Sequence, residues 1–444
     1  VDAMPNRYYL DRQRGTESNA RSYPRRLPLA IRRARGVYVT DADGREYIDC
    51  LAGAGALVLG HNHPVASAAI RRHLDEELPL QTLDLSTPVK DRFVAELFAT
   101  LPKSFADRAR IQFCGPGGAD AIEAAIKLVK TATGRRSVFA FHGGYHGQSH
   151  GALALTGNLG PKMAVPGLMP DAHFLPFPYT YRCPFGCQAC DGVHLSKYVE
   201  GILADPESGI APAAGMFLEP VQGEGGSIPA PEGWLREIRR ITKEQGIPLV
   251  LDEVQTGWGR TGKMYAFEHA GITPDVLILS KAIGGGLPLS VVVYDQDLDV
   301  WQPGAHAGTF RGNQLAMSTG LATLRYVREH DLPTHAGRMG ERLRSRLEDA
   351  RRRHPYVGDV RGKGLMIGVE FVDPAKSDHW GRPVHDGAAA GRVQRACLSK
   401  GLIVEVGGRY GSVIRLLPPL IVSEAEVDLI ADRLIASLDA AEGE

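Results

Sequence analysis

Two ionisable residues, Asp252 and Lys281, stand where chemistry is most readily built. Asp252 closes the short apolar run 248–251, and Lys281 follows the run Val276–Leu279 by two residues. Each run lies beside Gly or Pro and is too short for a free-standing helix, so each predicts a buried strand. In an open α/β sheet, ligands gather outside the carboxyl ends of the strands. One acid and one lysine are thereby carried towards the same crevice. A lysine can hold pyridoxal phosphate as a Schiff base, and an acid can pair with the pyridinium nitrogen and keep it protonated, which makes the ring an electron sink. Taken singly, the two residues read first as a strand cap, Lys281, and a surface ion pair, Asp252, since such residues are common at loop edges.

Other stretches add to that pair. Residues 111–130, IQFCGPGGADAIEAAIKLVK, predict a strand, a Gly-rich turn and a helix whose Ile122, Ala125, Ile126 and Val129 share one face. The turn at Gly115–Gly118 then sits at a helix N-terminus, where free N–H groups and the positive end of the dipole suit a phosphate, although Gly turns before helices are common. Residues 138–147, VFAFHGGYHG, deliver Tyr145 into a Gly-rich loop, where it reads as a ring-stacking residue or a core tyrosine. Glu219 and Glu224 follow an apolar strand in GMFLEPVQGEGG, and read singly as solvated loop carboxylates. Arg415, in VIRLLPPL, lies at a strand end, where it can hold a carboxylate in bidentate fashion or form a surface ion pair.

The stretches LDEVQTGWGRTG and PDVLILSKAIGGG together resemble the signature of the class III (ω-) aminotransferases. The resemblance runs from about residue 20 to 435 and implies fold type I. That fold is α/β, with a mostly parallel central sheet flanked by helices and a smaller α+β domain built from both termini. It implies pyridoxal 5'-phosphate as cofactor, Lys281 as the Schiff-base lysine and Asp252 as the acid on the ring nitrogen. Gly117, Gly118 and Ala119 match the phosphate turn, where Gly117 replaces the usual Ser or Thr. Tyr145 matches the stacking aromatic, Val254 the residue behind the ring and Gln255 the partner of the ring hydroxyl. Thr309, in HAGTFRGNQLA, matches the threonine that reaches the partner subunit's phosphate, which implies a homodimer with shared active sites. Arg415 matches the arginine for the α-carboxylate of glutamate and 2-oxoglutarate, with Glu224 pairing it between half-reactions. Gln148 stands where an enzyme for 4-aminobutyrate carries Arg. ESNARSYPRRLPLAI and DCLAGAGALVLGHNHP most resemble members that pass the terminal amine of L-2,4-diaminobutyrate to 2-oxoglutarate. Another ω-aminotransferase (for ornithine, acetylornithine or lysine), a mutase or racemase of the same fold, and a non-enzymatic cofactor-binding protein are the rivals.

A chain of 444 residues can bury a large core. The expected division is residues 1–75 as an arm and part of the small domain, 76–335 as the cofactor domain and 336–444 as the remainder of the small domain. Helices are expected at 234–244, 337–354 and from the capping box Ser423-x-x-Glu426 to about 440, with strands at 362–371 and 402–406. Lys+Arg 51 equals Asp+Glu 51, which removes any global charge argument for nucleic acid or an anionic membrane. No apolar run reaches the roughly 18 residues of a membrane span. Arg-rich residues 1–36 read as a solvated arm with no secretory signal. His61 and His63 lack a third ligand nearby and read as structural or channel residues rather than a metal pair. Cys183, Cys187 and Cys190 fit C-x3-C-x2-C, which would need His194 or His173 to complete a zinc site. They read as free thiols in a loop insertion, so no metal is expected, and a reducing cytoplasm is the default compartment.

Overall fold

The structure, a computed structural model, describes residues 4–187 and 190–442. The central sheet runs in the order Ala109–Phe113, Val291–Asp295, Val276–Leu279, Leu249–Asp252, Ala213–Leu218, Ser137–Phe141, Ala172–Leu175. Only Val291–Asp295 runs against its neighbours. Alternation along the strands feeds two apolar faces. Val250, Val276 and Ile278 face the helix Gly118–Thr133, packing with its Ile122, Ala125, Ile126 and Val129. Leu249, Leu251, Leu277 and Leu279 point to the opposite face, into the cluster that holds Trp234, Ile238 and Ile241 of the helix Glu232–Glu244. A strand covered on both sides has no polar face to show, which is why these runs are uninterruptedly apolar. The fold is the expected α/β architecture.

Beyond a two-stranded ribbon of Val221–Gln222 with Ile228–Pro229, and Pro383–His385 paired at the edge of Met366–Ser377, the rest of the chain builds two smaller sheets. Ile31–Arg35, Tyr38–Asp41 and Glu46–Asp49 form a meander, completed by Leu402–Ile403 from the far end of the chain, parallel to Glu46–Asp49. Val357–Lys363, Met366–Ser377, Val413–Leu416 and Glu405–Gly407 form the second sheet, in that order. The strand expected over 402–406 is therefore two. The chain leaves one sheet at Ile403 and enters the other at Glu405. The strand expected over 362–371 is likewise a hairpin, turning through Gly364 at φ +54°, a backbone conformation that favours glycine. The helix expected from 337 begins earlier, as Leu332–Arg351 with a proline in its first turn. The capping box at Ser423 forms as read, opening Glu424–Ala441.

None of the described residues 4–36 is buried, in line with a solvated arm, and Asn6–Thr16 within it is a helix. Arg26 Nη1 donates to the Val406 carbonyl at 2.7 Å, which pins this segment to the second sheet.

Candidate active site

Asp252 and Lys281 reach the same crevice because their strands are adjacent and parallel, with Asp252 paired to Ile278, three residues before the lysine. Asp252 is buried. Its Oδ2 lies 2.8 Å from His146 Nδ1, and its Oδ1 accepts the Val254 N–H at 3.1 Å. Burial acts to lower the His146 pKa, but the Asp252 hydrogen bond and charge, with Glu219 behind them, raise it above the ordinary imidazole value. His146 is thus a protonatable partner that fixes the acid's orientation. The sequence reading missed it. Its signal was position: it directly follows Tyr145 in the Gly-rich loop.

Lys281 adopts φ +51°, a left-handed backbone rare outside glycine. Such a conformation persists only where its surroundings over-determine it. Burial pushes the Lys281 ammonium below its usual range. Glu224 and Asp252 partly restore it, and Arg415 adds to the fall. Desolvation thus favours the neutral, nucleophilic amine.

The Gly-rich turn lies beside this pair. Gly117 is exposed, with nothing within 4 Å of where its Cβ would stand, and Gly118 opens the helix of 16 residues that follows. A Cβ on Gly118 would lie 3.0 Å from the Val254 methyls, so the turn packs directly on the residue after Asp252 and Glu253. A Cβ on Gly147 would come within 2.5 Å of the Ala119 Cβ, which locks the Tyr145 loop against the helix start. Glu219, buried, takes the Tyr145 N–H at 2.8 Å and the Gly223 N–H at 2.9 Å. Burial raises its pKa to about 7, against the pull of His146. Glu219 is therefore a loop anchor. Gln255 is also buried. Its Nε2 donates to the Ala54 carbonyl at 2.9 Å, while its Oε1 has no hydrogen-bond partner.

Arg415 is wholly buried, and its Nη2 lies 2.7 Å from Glu224 Oε1 and 2.7 Å from Glu405 Oε2. Burial opposes its charge, but the two carboxylates raise its pKa above the usual guanidinium value. Burial likewise opposes ionisation of Glu224, and Arg415 and Lys281 overcome it, holding Glu224 below the ordinary carboxylate range. Glu405 was not anticipated, because the sequence ran it into a single strand.

Thr309 is not brought to this crevice within its own chain. It is exposed, and the neighbouring Phe310 is 73% exposed. The two histidines read as structural part company: His61 Nε2 lies 2.8 Å from Asp49 Oδ2, while His63 caps the helix Pro64–Asp75. Cys183, Cys187 and Cys190 are free thiols, and residues 188 and 189 between them lie outside the described residues. Among the described residues, the group of three His, Cys or acidic side chains close enough to share a metal is Cys114, Asp120 and His306. The Arg311 guanidinium already pairs with Asp120 there at 3.3 Å.

With this geometry in hand, comparison with known proteins places the chain among relatives. Residues 19–438 match the family described as aminotransferase class-III. The chain is 57% identical over 436 residues (98% of its length and 93% of the other) to a protein of Rhizobium meliloti (strain 1021) named diaminobutyrate--2-oxoglutarate aminotransferase. A protein of the same name from Haemophilus influenzae is 49% identical, over 98% of this chain and 95% of that one. Among solved structures, an amine transaminase from an uncultivated Pseudomonas species, in its PLP-bound internal aldimine form, superposes with a TM-score of 0.84 at 31% identity, covering 96% and 98% of the two chains. A thermostable (S)-enantioselective ω-transaminase from Thermomicrobium roseum gives 0.86 at 28% identity, covering 99% and 100%.

Proposed function

The chain belongs to the class-III aminotransferases, and on that premise we propose that it transfers the terminal amine of L-2,4-diaminobutyrate to 2-oxoglutarate, giving aspartate 4-semialdehyde and glutamate, in either direction. Its cofactor is pyridoxal 5'-phosphate. The residues present fit that group. The helix start at Gly117, Gly118 and Ala119 offers free N–H groups for a phosphate. Lys281 is the amine for the aldehyde carbon, and Asp252, steadied by His146, is the counter-charge for a protonated ring nitrogen. The unpartnered Gln255 Oε1 is an acceptor for a ring hydroxyl, with Val254 and Tyr145 on hand to limit ring tilt.

When bound, pyridoxal phosphate supplies an aldehyde that takes up the donor amine and a ring that withdraws electrons from the reacting carbon. The chain's own residues do the remainder. Lys281 Nζ would take a proton from the donor's terminal carbon and hold it for return, as general base and then acid. Asp252 keeps its negative charge facing the ring. Arg415 receives the α-carboxylate of 2-oxoglutarate in the second half-reaction. Glu224 closes on Arg415 in the first, so one site serves a cationic donor and a dianionic acceptor.

The observation that carries this reading is the buried Arg415 held by Glu224 within Coulombic reach of Lys281. A mutase or racemase needs no dicarboxylate, and Arg415 would serve it no purpose. The exposed Thr309 and Phe310 support a homodimer in which Thr309 reaches the partner's phosphate. Free cysteines fit a reducing cytoplasm. Among the described residues, no helix is long and apolar enough to cross a membrane. Small amino and oxo acids are the partners this reading gives, and zero formal charge offers no global electrostatic argument for nucleic acid.

The test is to add L-2,4-diaminobutyrate to the holoenzyme and follow the cofactor's absorbance, then add 2-oxoglutarate. The expected result is conversion to the amine form by the diamine and recovery with 2-oxoglutarate. Conversion by ornithine, acetylornithine or lysine but not by diaminobutyrate would move the enzyme to a neighbouring specificity. Turnover without any oxo acid would make it a mutase or racemase.

A further inference from the structure

The donor carries a second amine that does not react, and a buried ammonium needs a counter-charge. We propose that Glu405 supplies it: its carboxylate holds the α-ammonium of the diamine while the terminal amine reacts, which makes Glu405 a specificity-determining residue. This rests on the diamine reading above.

Glu405 opens the strand Glu405–Gly407 and pairs directly with Arg415 of the antiparallel neighbour, so the two side chains share one face. On its other side Arg415 pairs with Gly368, which leaves that flank without a side chain. Glu224 already meets the guanidinium with a hydrogen bond at 2.7 Å. Glu405 brings a second carboxylate oxygen, Oε2, to the same nitrogen at 2.7 Å as an ion pair, and that buried oxygen accepts no hydrogen bond. Two carboxylates around one guanidinium leave a net negative charge. That surplus is wrong for a dicarboxylate and right for a dibasic donor. Glu224 already covers Arg415 while the diamine is bound, which leaves the Glu405 carboxylate for the donor in that step, and burying a surplus acid is otherwise costly.

The surroundings agree. Glu405 and Glu224 lie 2.7 Å from the same Arg415 nitrogen, which puts Glu405 beside the residues assigned to the substrate carboxylate. Arg26 fixes the N-terminal arm to Val406, the next residue in the strand. The arm is thereby held beside the strand that carries Glu405.

The test uses the holoenzyme and separates the half-reactions. Glu405→Gln keeps the shape and removes the charge. Its half-reaction with L-2,4-diaminobutyrate is expected to lose about 30-fold or more in kcat/KM, chiefly through KM, the loss typical of removing a buried counter-charge. The half-reaction with glutamate is expected to be unchanged or faster. Equal loss in both would reduce Glu405 to a scaffold for Arg415, and no loss in either would remove it from recognition; both outcomes overturn the proposal. Glu405→Asp retains the charge but draws it back by one methylene. It is expected to lose several-fold with the diamine alone, and a loss shared with glutamate would again overturn it. If the wild-type holoenzyme accepts no diaminobutyrate but another diamine, the same comparison is made with that diamine. If it accepts no diamine, the functional reading itself fails, independently of either variant.

Discussion

Replacing Arg415 by Gln is the perturbation whose consequences the structure specifies best. The guanidinium is fully buried and touches two carboxylates at 2.7 Å each. Removing it strands both acids, which should cost roughly 3–5 kcal/mol of stability until one of them takes up a proton. Catalytically, the loss falls on the substrate that needs the cation. Truncating one partner of a buried, hydrogen-bonded charge pair costs about 2–5 kcal/mol. At tenfold per 1.36 kcal/mol, this is about 30-fold to several thousandfold in kcat/KM for 2-oxoglutarate or glutamate. The diamine half-reaction should change far less, because Glu224 covers Arg415 in that step. Stopped-flow absorbance of each half-reaction, with cofactor content checked beforehand, reads the two numbers separately. Equal losses in both half-reactions would refute the assignment of Arg415 to the dicarboxylate.

Three further outcomes are expected. The His146 pKa is raised above 6.5, so its pairing with Asp252 contributes stability in full below that value and loses it as pH rises through the raised folded-state value. Thermal melting across that window should show the decline, and His146→Asn should flatten it; an unchanged slope would remove His146 from the account. Gly147→Val forces a Cβ to within 2.5 Å of Ala119 and places a branched residue at φ +128°. It should cost about 1–3 kcal/mol and weaken cofactor retention, measurable as residual absorbance after dialysis; full retention would count against the packing described. Thr309→Val should weaken cofactor binding, and in mixed dimers with Lys281→Ala one competent site should survive only when the defects lie on the arrangement that a shared site predicts. Activity that ignores the pairing would argue for self-contained subunits.

What the sequence made legible was local or periodic. The two apolar runs ending at Asp252 and Lys281 announced themselves because strands covered on both faces carry no polar residues. The turn at Gly115–Gly118 was visible because a strand, glycines and a one-faced helix occur in series. The Ser423 capping box was visible because its four residues satisfy one another. What stayed hidden depends on partners far along the chain. His146 acquires its character from Asp252, 106 residues away. Glu405 sits in what reads as one continuous strand, and only the switch between sheets turns it towards Arg415. The arm reads as solvated because it is Arg-rich, yet Arg26 finds its partner 380 residues on. Periodicity carries no information about such pairings.

The central claim is that Lys281 is the cofactor's covalent anchor, set opposite Asp252. Borohydride reduction of the holoenzyme followed by peptide mass spectrometry tests it directly. The expected result is a pyridoxyl group on the peptide containing Lys281, absent from Lys281→Ala. A pyridoxyl group on any other lysine, or its persistence in Lys281→Ala, would contradict the account.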